Sequence, residues 1–132
     1  MATSTPEFKY GEDHLTAGKA LAIAEGTIRG VLSEVVREKV NTSANTVKKI
    51  ASGDQAVYGI NTGFGPLCTT QISKDQTNEL QKNLLMSHAV GLGAPIPDDI
   101  SKLMMILKVH ALAMGYSGVQ EKTLDRIIWH ID

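Results

Sequence analysis

The chain has 132 residues and a formal net charge of −1, which fits one domain with a real core and removes the electrostatic case for nucleic acid or an anionic membrane as partner. Apolar residues at 42% and charged residues at 20% are ordinary for a globular protein, while aromatics at 5% leave the core to Leu, Ile, Val, Met and Ala. Cys68 is the one cysteine, so no internal disulfide and no thiolate metal cluster can form, and a reducing compartment is expected.

Residues 1–14 are polar, lack the apolar stretch of a secretory signal, and read as an arm or a short edge. No run approaches the roughly eighteen apolar residues of a membrane span, so the expectation is a cytoplasmic protein. From Leu15, the residues Ala17, Ala20, Leu21, Ala22, Ile23 and Ala24 predict a short helix that Gly26 weakens or ends, followed by a turn. Ser33 is a suitable N-cap for a second helix. Its apolar stripe is expected from Val35, Val36, Val40, Val47 and Ile50, with an interruption near residues 41–45 and a stop at Gly53.

A third helix is marked by Ser73-Lys74-Asp75-Gln76, which has capping-box spacing, and places Leu80, Leu84 and His88 on one face. The fourth opens at Pro97-Asp98-Asp99, where proline and carboxylates suit a first turn. Its residues Ile100, Leu103, Met104, Met105, Ile106, Leu107, Val109, Ala111, Leu112, Ala113 and Met114 are apolar on nearly every side, as in a buried helix or an interface. Gly115-Tyr116-Ser117-Gly118 breaks it. Ser117-Gly118-Val119-Gln120 repeats the capping-box spacing before a last helix with Leu124, Ile127, Ile128 and Trp129. With no repeat or linker-like tract, residues 1–132 read as a single, mainly α-helical unit with two functional loops, at 58–67 and 91–96.

The loop Val57-Tyr58-Gly59-Ile60-Asn61-Thr62-Gly63-Phe64-Gly65 sets one phenol among glycines, which permit close approach of backbone to a ligand. Composition alone leaves a structural turn with a packed tyrosine equally open. Gly65 is followed by Pro66-Leu67-Cys68, so neither the P-loop nor the dinucleotide fingerprint is met and no nucleotide is expected. The histidines show no metal-ligand spacing, so no metal is expected. His14 and His130 read as surface residues. A lone histidine such as His88 on an apolar helical face is commonly a hydrogen-bonded core residue.

The residue order of this loop, together with Leu80-Gln81-Lys82-Asn83-Leu84-Leu85-Met86-Ser87-His88-Ala89-Val90-Gly91, resembles the histidine and phenylalanine ammonia-lyase family. The resemblance runs from about Tyr10 onward. It implies the helical N-terminal domain of the ammonia-lyase/fumarase-aspartase-like fold and covers roughly the first quarter of a family member.

By this resemblance Tyr58 is the base that takes a proton from the carbon beside the amine-bearing carbon of an amino acid. A phenol with an ordinary pKa near 10 needs positive charge or hydrogen bonds to do so. Asn61 and Gly65 match positions near the substrate, with a plain alternative as turn formers. Ser87-His88 resembles the histidine-selective branch, where the phenylalanine branch has Phe-Leu and the tyrosine branch His-Leu. His88 is thus the candidate for substrate selection, an imidazole being suited to bonding another imidazole. His110 stands where the family usually has asparagine, which leaves its role open.

The family's electrophile is MIO, a methylidene-imidazolone made from an internal Ala-Ser-Gly well after the tyrosine loop. Here Ala51-Ser52-Gly53 precedes the loop, at an expected helix end, and MIO formation there is not expected. The resemblance further implies L-histidine or another aromatic amino acid as substrate of the complete enzyme, a homo-oligomer, and MIO-forming and C-terminal parts beyond these residues. The isolated chain is therefore expected to be inactive. The competing expectations are a non-catalytic, self-associating helical module with the fourth helix as its interface, or part of a phenylalanine or tyrosine ammonia-lyase or aminomutase.

Overall fold

A computed structural model describes residues 5–53, 55–62 and 74–132. The chain opens with strand β1 (Glu7–Lys9), helix α1 (Ala17–Ala24) and strand β2 (Arg29–Val31). The two strands pair in parallel, with Phe8 opposite Gly30, and α1 lies in the crossover that a parallel pair requires. The short edge expected at the N-terminus is thus β1. Where only a turn was expected after Gly26, the chain forms β2, because three residues are too few to show the alternation that marks a strand.

Local chemistry sets the helix boundaries. Thr16 Oγ1 accepts the Lys19 amide at 3.3 Å at the start of α1, and Gly26, at φ +75°, turns the chain out of its end. Helix α2 (Glu34–Ala51) begins as expected, with Ser33 Oγ accepting the Val36 amide at 3.2 Å. The interruption expected near 41–45 does not occur. Its polar side chains find partners that leave the helical ladder intact: Asn41 donates to Glu121, Thr42 to the Glu38 carbonyl, and Ser43 Oγ accepts the Gly118 amide. The buried stripe is Val36, Val40 and Ala44, at a spacing of four, so Val35 lies on another face and is 67% exposed.

Helix α3 covers Lys74–His88, and the expected cap at Ser73 lies outside the described residues. Helix α4 (Asp98–Ala113) has Pro97 as its N-cap, one position before the expected first turn. Only one of its faces is buried: Ile106, Val109 and Ala113 are covered, while Met104 and Leu107 are each 57% exposed. Helix α5 (Glu121–Ile131) corrects the second capping box, because Gln120 is itself the cap residue and makes no side-chain cap bond.

Two compact units divide the chain, Met1–Asn45 with Ile96–Asp132, and Thr46–Pro95. In the first, α4 packs on α1 and α5. Phe8, Tyr10, Ala20, Ile23, Val36, Val40, Ile106, Val109, Ala113, Leu124 and Ile131 form its core, each large aliphatic burial being worth about 1.5–3 kcal/mol. Among the described residues of the second unit, those buried are Asn61 and Thr62. No helix among the described residues is long and apolar enough to cross a membrane.

Candidate functional site

Tyr58 occupies the corner of a tight turn. The Ile60 amide donates to the Val57 carbonyl at 3.1 Å, and Gly59, between Tyr58 and Ile60, has φ +79°. A positive φ at the third position of a turn closed in this way is the signature of type II, where glycine is favoured because a side chain resists that angle. The corner holds Tyr58 63% exposed.

Asn61 braces the turn by hydrogen bonds and is only 6% exposed. Its Oδ1 accepts the Val57 amide at 2.8 Å, its Nδ2 donates to the Gln55 carbonyl at 3.0 Å, and its own amide donates to the Val57 carbonyl at 3.3 Å. Sequence reasoning missed the partners, the Gln55 carbonyl and the Val57 amide. The signal available was an asparagine beside glycines, a residue that bonds nearby backbone in turns. Gly65, the remaining loop candidate, lies outside the described residues.

His88 is the last residue of α3 and is exposed. Its Nδ1 lies 2.9 Å from the Leu84 carbonyl oxygen and 2.9 Å from Ser87 Oγ, and Ser87 Oγ donates to the same carbonyl at 2.9 Å. A carbonyl only accepts, so the contact with Leu84 is a hydrogen bond in the tautomer with the proton on Nδ1, the one that leaves Nε2 as the acceptor. His88 is therefore hydrogen-bonded as a core histidine would be, but at the exposed end of its own helix, through Ser87 and the Leu84 carbonyl. The bonds that hold this pair stay within residues 84–88, and those around Asn61 within 55–61; both groups belong to the unit Thr46–Pro95.

Ala51-Ser52-Gly53 ends α2 as expected. The Ser52 amide donates to Lys48 at 3.1 Å, the Gly53 amide to Ile50 at 3.0 Å, and Ser52 Oγ to the Lys49 carbonyl at 2.8 Å. The second expected loop, 91–96, is exposed throughout, with Gly93 at φ +97°.

His110 has a structural position: Nδ1 accepts the Gly11 amide at 3.2 Å, and the ring lies 5.7 Å from that of Phe8. Burial lowers its pKa; the Asp13 carboxylate opposes that shift and His14 adds to it. His14 and His130 are exposed. Among the described residues no three His, Cys, Asp or Glu side chains are grouped to hold a metal ion. Two cavities, of about 550 and 450 Å³, lie in the unit that contains the core, and no candidate residue lines either.

Residues 15–132 match the family described as aromatic amino acid lyases. The histidine ammonia-lyase of Stigmatella aurantiaca is 37% identical over 121 residues, which cover 92% of this chain and 24% of that protein. That of Legionella pneumophila is 45% identical over 98 residues, 74% of this chain and 19% of that protein. Among solved structures, the histidine ammonia-lyase from Trypanosoma cruzi superposes with a TM-score of 0.81 at 28% identity, over 95% of this chain and 24% of that one. The tyrosine aminomutase from Streptomyces globisporus gives 0.85 at 26% identity, with the same coverage. The fold is that of the ammonia-lyases and aminomutases, and the chain spans about a quarter of the length of these relatives.

Proposed function

The chain belongs to the aromatic amino acid lyase family, and from that premise we propose that it is the N-terminal part of a histidine ammonia-lyase, an enzyme that eliminates ammonia from L-histidine to leave trans-urocanate. The observation that carries the reading is the turn that presents Tyr58 at its exposed corner. In its phenolate form Tyr58 Oη accepts the proton from the carbon next to the amine-bearing carbon. The family's MIO ring supplies an electrophile for the substrate amine, without which that carbon-bound proton is too weakly acidic for a phenolate to remove.

The ring does not fit Ala51-Ser52-Gly53. Cyclisation joins the glycine nitrogen to the alanine carbonyl carbon, and here the Ser52 and Gly53 amides are committed to the last turn of α2. We therefore place its formation outside these residues, and the 132 residues alone are inactive. His88 selects the substrate: with Nδ1–H engaged by Leu84, its Nε2 is an acceptor for the N–H of a substrate imidazole. Gly65 is proposed beside the substrate on the sequence resemblance alone. The complete enzyme is proposed to be a cytoplasmic homo-oligomer.

Two other readings have specific support. Met104 and Leu107 of α4, each 57% exposed, favour a self-associating module with the fourth helix as its interface, since exposed apolar surface promotes association. The likeness to a tyrosine aminomutase favours a different aromatic substrate.

The test is an ultraviolet assay for urocanate with L-histidine, on this chain and on a version extended by the downstream region of a histidine ammonia-lyase. Activity is expected only in the extended protein. Tyr58→Phe is expected to lower it by about 100-fold or more, the scale of a lost general base. Turnover by the short chain would overturn the assignment of the electrophile, and silence of both would favour the module or another substrate.

A further inference from the structure

We propose that Asn61 is a positioning residue for Tyr58, acting through the loop backbone and not by touching substrate. The inference rests on the reading of Tyr58 as the base. The asparagine is nearly buried while the tyrosine three positions before it is mostly exposed, so the two side chains leave the same short turn in different environments. Both polar ends of the Asn61 amide are used on backbone that flanks Tyr58: Oδ1 on the Val57 amide at 2.8 Å and Nδ2 on the Gln55 carbonyl at 3.0 Å.

The Asn61 amide returns to the Val57 carbonyl, so residues 57 and 61 are joined by one side-chain bond and one backbone bond. That cross-link fixes where the corner of the turn stands, and with it the base of the Tyr58 side chain. Alanine at 61 leaves a backbone N–H and a backbone C=O without their partners, which loosens the turn without altering any group that meets the reacting atoms. Placement matters out of proportion to contact, since a displacement of about 1 Å in a reacting group can cost about 100-fold in rate.

The first measurement is amide hydrogen exchange by NMR on this chain. Asn61→Ala is expected to speed exchange at Val57 by about tenfold or more while the amides of Ile106 and Leu124 in the core keep their rates. Asn61→Asp, which retains an acceptor at Oδ1, restores slow exchange at Val57. Unchanged exchange at Val57 in Asn61→Ala, or equal acceleration in the core, overturns the proposal.

The second measurement is steady-state kinetics on the extended protein. Asn61→Ala is expected to lower kcat by about 100-fold with KM within about twofold. A raised KM with kcat intact would mean that Asn61 binds substrate, and would overturn positioning. Full activity of Tyr58→Phe would instead sink the base, and positioning for catalysis with it, while the Val57 exchange result still reported whether the cross-link exists.

Discussion

At Gly30 the absence of a side chain is what lets Tyr10 lie beneath β2. A methyl group there would stand 2.3 Å from a Tyr10 ring carbon and 2.4 Å from its hydroxyl oxygen, and Tyr10 is fully buried with nowhere to retreat. Gly30→Ala is therefore expected to destabilise the protein by about 1–3 kcal/mol, the usual cost of overpacking, read as a lowered urea midpoint. Burial, with the Asp132 carboxylate adding to it, pushes the Tyr10 phenol up to about 12, and its hydroxyl has no partner among the described residues. Tyr10 is thus a neutral packing residue, edge-on to Phe8 at 5.6 Å, whereas the turn around Gly59 and Asn61 puts Tyr58 at the surface. Nothing in either residue type announces this division. It depends on a glycine whose bare Cα the Tyr10 ring packs against and on an asparagine that ties down the backbone on either side of the turn carrying Tyr58.

Between elements, polar side chains do the joining. Arg37 of α2 donates to Glu121 and Asp125 of α5, and Asn41, one turn on, donates to Glu121 at 2.6 Å. These bonds, first Asn41 and then Arg37, hold the Glu121 carboxyl below the usual carboxylate range. His110 joins α4 to the turn after β1 by accepting the Gly11 amide, which only an unprotonated Nδ1 can do. Its pKa is lowered in the folded state, chiefly by burial, so as pH falls from the ordinary imidazole value the unfolded chain takes up a proton that the folded chain refuses. The unfolded state then binds more protons, and stability must fall with pH. The contribution is whole above about pH 6.5 and is lost on acidification toward the depressed folded value. Urea midpoints at pH 7.5 and 5.5 should drop further for the native chain than for His110→Asn, and an equal drop would show that His110 is not the group responsible.

Across the whole molecule, apolar burial is uneven. Every residue of the core cluster belongs to the unit Met1–Asn45 with Ile96–Asp132, while in Thr46–Pro95 the apolar residues Leu85, Met86, Val90 and Leu92 are largely exposed. Regions with few buried apolar contacts open at lower free energy than the core. Limited proteolysis at low enzyme ratio should therefore cut first within residues 85–95, leaving α4 and α5 intact at early times by mass spectrometry. Early cleavage inside α4 would contradict this ranking.

Local pattern alone determined much of this protein: four of the helices near their observed limits, the Ser33 cap, the stop at Gly26, and the family, through the loop around Tyr58 and the segment that ends in Ser87-His88. These are properties of neighbouring residues, since caps, turns and one-face periodicity act over a few positions. Tertiary structure decided what local pattern cannot carry. It formed β2, which exists because Arg29–Val31 meets β1 more than twenty positions away in sequence. It kept α2 unbroken through Asn41, whose side chain bonds Glu121 instead of competing for its own backbone. It replaced the second capping box by a bond from Gly118 to Ser43, and gave His110, an open question in the sequence, a partner at Gly11. In each case the deciding partner lies far along the chain, and burial sets how much that contact is worth.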